Sequence, residues 1–175
     1  GVTPSPKMAG LMAAAILSDT VMFKSPTCTK KDIAMAERLA RIARISLKEL
    51  GRELFSSTSD GKSAEELLGT DYKEFHISGQ TIGVGQITCV DSSKLVERRD
   101  EFIEAMEKVK QRSNCDLVIL MITDVLLDGS HIFYVGSDDV MQEAFSAVPK
   151  DKHMFLPKVM SRKKQIIPML TAMWG

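Results

Sequence analysis

Cysteine is scarce in this 175-residue chain: Cys28, Cys89 and Cys115 stand far apart, with no C-x-x-C pair and no His close by. That spacing argues against a disulfide framework and against a zinc site, and it points to a reducing cytoplasm as the compartment. Excess charge is lacking too, since Lys plus Arg and Asp plus Glu each total 23. No global field draws such a protein to nucleic acid or to a membrane. Aromatic residues make up only 6% of the chain, too few to suggest a stacking platform for single strands. There is no G-x-S-x-G elbow and no Gly-rich phosphate loop; Gly79, Gly83 and Gly85 read as hairpin turns and bulges rather than a strand-to-helix turn. The apolar run Met8 to Leu17 is too short to span a bilayer, and it reads as a buried helix. The chain opens at Gly1 rather than at an initiator Met, so it is expected to be a piece of something longer.

What is present is ordinary globular material, 44% hydrophobic and 26% charged, enough for one large domain or two small ones. After the Met8–Leu17 helix, Thr29 with Asp32 and Ser46 with Glu49 have capping spacings that open two short amphipathic helices, which read as an antiparallel pair. The small polar run Phe55 to Lys62 reads as a linker. Ser63 with Glu66 caps a further helix. Phe75 and Ile77 alternate toward a turn at Ser78-Gly79, and Ile82 and Val84 resume the alternation, which is a hairpin. Asp91-Ser92-Ser93 predicts one long helix running to about Arg112, and Leu117 to Ile122 predicts a strand buried on both faces. Ile132 to Val135 is its partner, Met141 to Val148 a helix and Met154 to Leu156 a strand, with Pro168 placed to start a last helix. The expected fold is therefore α/β, a mixed or antiparallel sheet flanked by helices and preceded by a helical remnant of another domain. The boundaries are 1–56 for that remnant, 57–62 for the linker and 63–175 for the α/β domain.

Charge is local rather than global. From Lys150 onward stand Lys150, Lys152, Lys158, Arg162, Lys163 and Lys164 against the single acid Asp151. The core of that stretch, Ser161-Arg162-Lys163-Lys164-Gln165, lies between apolar segments that must be buried, which anchors the charges. A guanidinium fork grips two phosphate oxygens and an ammonium can follow a third, so the stretch suits a compact anion. A solvated basic segment or a nucleic-acid patch is the plain alternative. Asp19, bracketed by Ser18 and Thr20 at the end of the apolar helix, is either a turn aspartate or one carboxylate of a metal site. Lys73 opens the hairpin strand and reads equally as an exposed strand lysine. His76, His131 and His153 are scattered, and each reads as a strand or loop residue.

Ala15-Ile16-Leu17-Ser18-Asp19-Thr20 with Phe23-Lys24-Ser25-Pro26-Thr27, then Asp71-Tyr72-Lys73-Glu74-Phe75, and finally Ser161 to Gln165 resemble the successive signatures of the family II, manganese-dependent inorganic pyrophosphatases. They occur in that family's order across essentially the whole chain. The resemblance implies a two-domain enzyme of the Asp-His-His phosphoesterase superfamily that hydrolyses pyrophosphate to two phosphates. Carried over, Asp19 matches a metal-ligand aspartate, while Lys73, Arg162 and Lys163 match catalytic cations that hold pyrophosphate, with Ser161 and Lys164 in support. The implied cofactor is Mn²⁺, with Mg²⁺ or Co²⁺ as alternatives, two ions per intact site. The family's leading His-and-Asp motif and its His-His motif are absent. The chain is thus expected to supply the substrate clamp and one metal ligand, to need a missing N-terminal metal-binding domain, and to be inactive alone. The intact enzyme is expected to be a homodimer, without nucleic-acid or membrane partners. Two other readings stand beside it: a short-chain polyphosphate phosphohydrolase of the same superfamily, and a non-catalytic module that binds anions or nucleic acid.

Overall fold

The fold is built from two stretches of sequence that bury their apolar residues separately. The computed structural model describes residues 2–56 and 61–174, and residues 57–60 of the expected linker lie outside them. The chain divides into two compact units, Gly1–Thr58 and Ser59–Gly175.

The first unit is helical. α1 (Pro6–Asp19) starts with Pro6, whose missing N–H costs nothing in a first turn, and Ser5 accepts from Met8 N. α2 (Lys30–Ala43) opens with the full capping box of Thr29 and Asp32. α3 (Leu47–Ser56) follows, with Ser46 accepting from Glu49 N. Their shared core is Ala9, Ala13 and Leu39, against which Ile16, Ile42, Leu47 and Leu50 pack. The expected pairing of α2 with α3 is corrected: α1 is the main neighbour of both. The alanines of α1 let another helix come close, and that proximity outweighs the sequence adjacency of α2 and α3.

The second unit is a sheet in the order β1-β2-β3-β4-β5. α4 (Ala64–Thr70), capped by Ser63 and Glu66, leads into the hairpin β1 (Tyr72–Ile77) and β2 (Gln80–Cys89). β3 (Leu117–Asp124) lies parallel to β2, and β4 (Gly129–Val135) and β5 (His153–Pro157) complete the sheet antiparallel. The sheet is mixed. The single long helix expected between β2 and β3 is two, α5 (Ser93–Glu97) and α6 (Arg99–Ser113). The break falls at Arg98, whose guanidinium donates to Lys62 O and to Glu101 while its backbone sits at φ −88° and ψ 19°. Nor does Ser92 cap the helix through its side chain: its hydroxyl is drawn to buried Asp124 instead, at 2.6 Å.

β3 is buried along its whole length, as a central strand covered on both faces must be. On one face α4 and α6 enclose Leu67, Leu68, Phe102, Met106, Val118, Leu120 and Phe133. On the other, α7 (Asp138–Phe145) and α8 (Ile167–Trp174) cover Val84, Ile119, Met121, Ile132 and Tyr134. Gly79 is a turn residue at φ +82°, but Gly83 and Gly85 are not bulges. Both lie in a continuous ladder, opposite Glu74 and Tyr72, at points where a Cβ would collide with the Tyr72 ring and with Leu68.

Candidate functional site

The basic stretch folds as a single π-helical turn, Arg162–Ile166, directly before α8. Such turns leave gaps in the normal hydrogen-bond ladder and concentrate at functional sites. Ser161 opens it by accepting from Lys164 N, and Gln165 closes it by accepting from the backbone of Met160 and Ser161 at 2.8 and 3.0 Å. The approach from β5 is pinned as tightly. Three consecutive carbonyls each receive a side-chain donor: Lys158 O from Gln165 (2.9 Å), Val159 O from Ser130 (2.5 Å) and Met160 O from Gln86 (3.3 Å). Gln86 and Ser130 meet at Thr123, which is fully buried, so the polar chain starts inside the sheet and ends on the basic turn.

Arg162 and its neighbours have opposite surroundings. Its side chain is only 8% exposed, and Nη1 donates to Asp71 O (2.8 Å) and Val84 O (3.0 Å) while Nη2 donates to Asp71 Oδ1 (2.8 Å). Lys163 and Lys164 are exposed, as is Lys73 on β1. Val84 is the register partner of Lys73, so the guanidinium is fastened to β2 opposite that lysine and, through Asp71, to the residue just before β1. Among the residues expected to hold an anion, the structure thus brings the segments of Lys73 and Arg162 together, from positions far apart in the chain. The acceptors of Arg162 are mostly main-chain carbonyls, which no sequence motif can announce.

Asp19 is the exposed last residue of α1 in the first unit. It precedes an unusual turn: Val21, Met22 and Phe23 all have left-handed backbones, at φ 49°, 50° and 68°. For residues with a Cβ this costs about 1–2 kcal/mol each. Tertiary contacts hold it. Thr20, buried, accepts from Phe23 N and donates to Ile16 O, Met22 N donates to Leu17 O, and the Met22 side chain fills the space beside Gly51 of α3. Among the described residues no three His, Cys, Asp or Glu side chains gather to hold a metal ion. Asp19 offers one carboxylate, so the residues present do not by themselves fit a dinuclear metal centre, which needs several ligands per ion.

The histidines are less scattered than their sequence positions suggest. His131 Nδ1 and His153 Nε2 lie 2.9 Å apart on β4 and β5, with rings 5.1 Å apart and stacked. One imidazole must accept, so the two cannot both be charged without losing that bond. Burial depresses both from their ordinary range; Asp124 partly offsets this for His131, and the neighbouring His131 and Arg99 add to it for His153.

The model of the DHHA2 domain matches residues 52–173. A manganese-dependent inorganic pyrophosphatase of Methanothrix thermoacetophila is 42% identical over 97% of this chain and 56% of its own length. A cobalt-dependent inorganic pyrophosphatase of Clostridium perfringens is 38% identical over 98% of this chain and 32% of its own. The crystal structure of a Methanococcus jannaschii protein, described as a presumptive family II inorganic pyrophosphatase, superposes with a TM-score of 0.85 at 35% identity, covering 99% of this chain and 57% of that one. The chain spans 32 to 57% of the length of these relatives.

Proposed function

Because this chain belongs to the DHHA2 domain family, we propose that it supplies the substrate clamp of an inorganic pyrophosphatase, an enzyme that hydrolyses pyrophosphate to two phosphates. The observation that carries this reading is the pinned basic turn, with Arg162 fastened to the sheet and Lys163 and Lys164 free to face an anion. Lys73, Arg162 and Lys163 hold the phosphoryl oxygens and neutralise the charge that gathers on the leaving phosphate. Cations held in place beforehand stabilise that charge without reorganising during the reaction. Manganese, with cobalt as an alternative, is the cofactor in this reading, following the names of the relatives, and magnesium is kept as a further alternative. When bound, the metal would activate the attacking water. Asp19 would be one of its ligands, and the others would come from outside the described residues.

The test is phosphate release from pyrophosphate with excess Mn²⁺, by this chain alone and mixed with the part of the Methanothrix relative that this chain does not match. Release is expected only in the mixture, and Arg162→Ala, Lys163→Ala and Lys73→Ala should each lower it by roughly 10²-fold or more. Release by the chain alone would mean that the metal ligands have been misplaced. Release that survives all three substitutions would remove the clamp. Faster release from tripolyphosphate than from pyrophosphate would favour the short-chain polyphosphate reading.

A further inference from the structure

Asp71 opens the Asp71-Tyr72-Lys73-Glu74-Phe75 stretch, and the clamp as proposed gives it no role. It sits just before β1, two residues from Lys73, and it is the only carboxylate bonded to Arg162 among the described residues. Its carbonyl receives two donors, Arg162 Nη1 at 2.8 Å and Gln86 N at 3.0 Å, and its Oδ1 receives Arg162 Nη2. A guanidinium has five N–H groups. Both on Nη1 and one on Nη2 are taken by Asp71 and Val84. The remaining two, on Nε and Nη2, have no acceptor among the described residues, and Nε is not wholly shut off from solvent, since among the described residues no buried side-chain nitrogen lacks a partner. Those two N–H groups point the same way, along one edge of the fork, and can grip two oxygens of one phosphoryl group. Asp71 occupies the opposite end of the same group.

We propose that Asp71 is the positioning residue of the clamp: by holding one end of the Arg162 guanidinium, it presents the Nε/Nη2 edge to a phosphoryl group beside Lys73. This inference rests on the pyrophosphate reading. The Asp71 side chain is 48% exposed and the Arg162 side chain 8%, so the acid reaches in from the wet side to fix a cation set in the wall. Without it, the guanidinium keeps two carbonyl acceptors on Nη1 and can swing about them. The fork then meets the anion with the wrong edge or at a poor angle, although the charge is unchanged.

The experiment is a calorimetric titration of the full chain with inorganic pyrophosphate, alongside side-chain Nε–H NMR of the arginines and backbone spectra that report the fold. The parent should bind, and pyrophosphate should move the Arg162 Nε–H resonance. Asp71→Ala should weaken binding roughly 10- to 100-fold, the range for one charged hydrogen bond. In an Arg162→Ala background the same substitution should change nothing, because Asp71 acts only through Arg162. An equal loss in both backgrounds, or no loss in a folded Asp71→Ala protein, overturns the positioning role and leaves the pyrophosphate reading standing. A parent that takes up no pyrophosphate overturns both. Should Asp71→Ala fail to fold, Asp71→Asn retains the acceptor without the charge: several-fold weaker binding supports the role, and parental affinity overturns it.

Discussion

The two units use similar apolar sequence to very different effect. In the second, strands such as Leu117–Asp124 are covered on both faces, and large side chains including Phe102, Phe133, Tyr134 and Met121 are wholly buried. In the first, α1 is apolar almost throughout, yet its buried residues are Ala9, Ala13 and Leu17, while Met8, Leu11 and Met12 remain 53%, 60% and 43% exposed. Alanine lets helices approach closely but removes little area from water. Burial is worth about 25 cal/mol per Å², so the sheet unit holds most of the hydrophobic stabilisation. The candidate site follows the same division: the basic turn is pinned through a polar chain into the sheet core, whereas Asp19 rides at the exposed end of a thinly buried helix.

The contrast is broken most severely in the sheet. Phe133→Ala, which empties space against Phe102, should cost about 3–5 kcal/mol by urea unfolding, whereas Leu39→Ala, among small alanines that can close up, should fall near the low end of about 2–5 kcal/mol. Equal losses would mean that the helical core is better packed than its composition suggests.

A second, smaller effect is confined to the sheet unit and depends on pH. His131 and His153 have folded values below the ordinary 6.5, so the unfolded chain binds more protons than the folded one once pH falls through that value. Stability should be full above about pH 7 and decline as pH drops through 6.5 toward the lower folded values. Urea midpoints at pH 7.5 and 5.5 measure this. His153→Phe should flatten the difference, and a slope that survives the substitution would place the titrating group elsewhere.

The smallest effect belongs to the helical unit. Val21→Gly relieves one left-handed residue, worth about 1–2 kcal/mol, but gives back part of that through a more flexible unfolded chain. A net gain of about 0.5–1 kcal/mol in thermal unfolding is expected. A loss would show that Val21 packing matters more than its backbone.

Much of the fold is legible along the chain because its causes are local. Thr29 with Asp32 and Ser63 with Glu66 cap helices at three-residue spacing, and the unbroken apolar run Leu117 to Ile122 requires cover on both faces. The break at Arg98 was not legible, since it coincides with a bond to the Lys62 carbonyl 36 residues away. Gly83 and Gly85 looked like punctuation and are instead sites of close approach, which depends on where the Tyr72 ring and Leu68 pack. The His131–His153 pair appears only when β4 and β5 align.

The candidate site divides in the same way. Sequence alone determined that a cluster of cations would lie in the C-terminal stretch and be held near apolar residues, because charge and hydropathy belong to the residues themselves. Tertiary structure alone decided that these cations differ: Arg162 is turned inward onto Asp71 and Val84, 91 and 78 residues away, while Lys163 and Lys164 face out. A hydrogen bond to a main-chain carbonyl is blind to residue type, so only the folded backbone can say which cation it fastens.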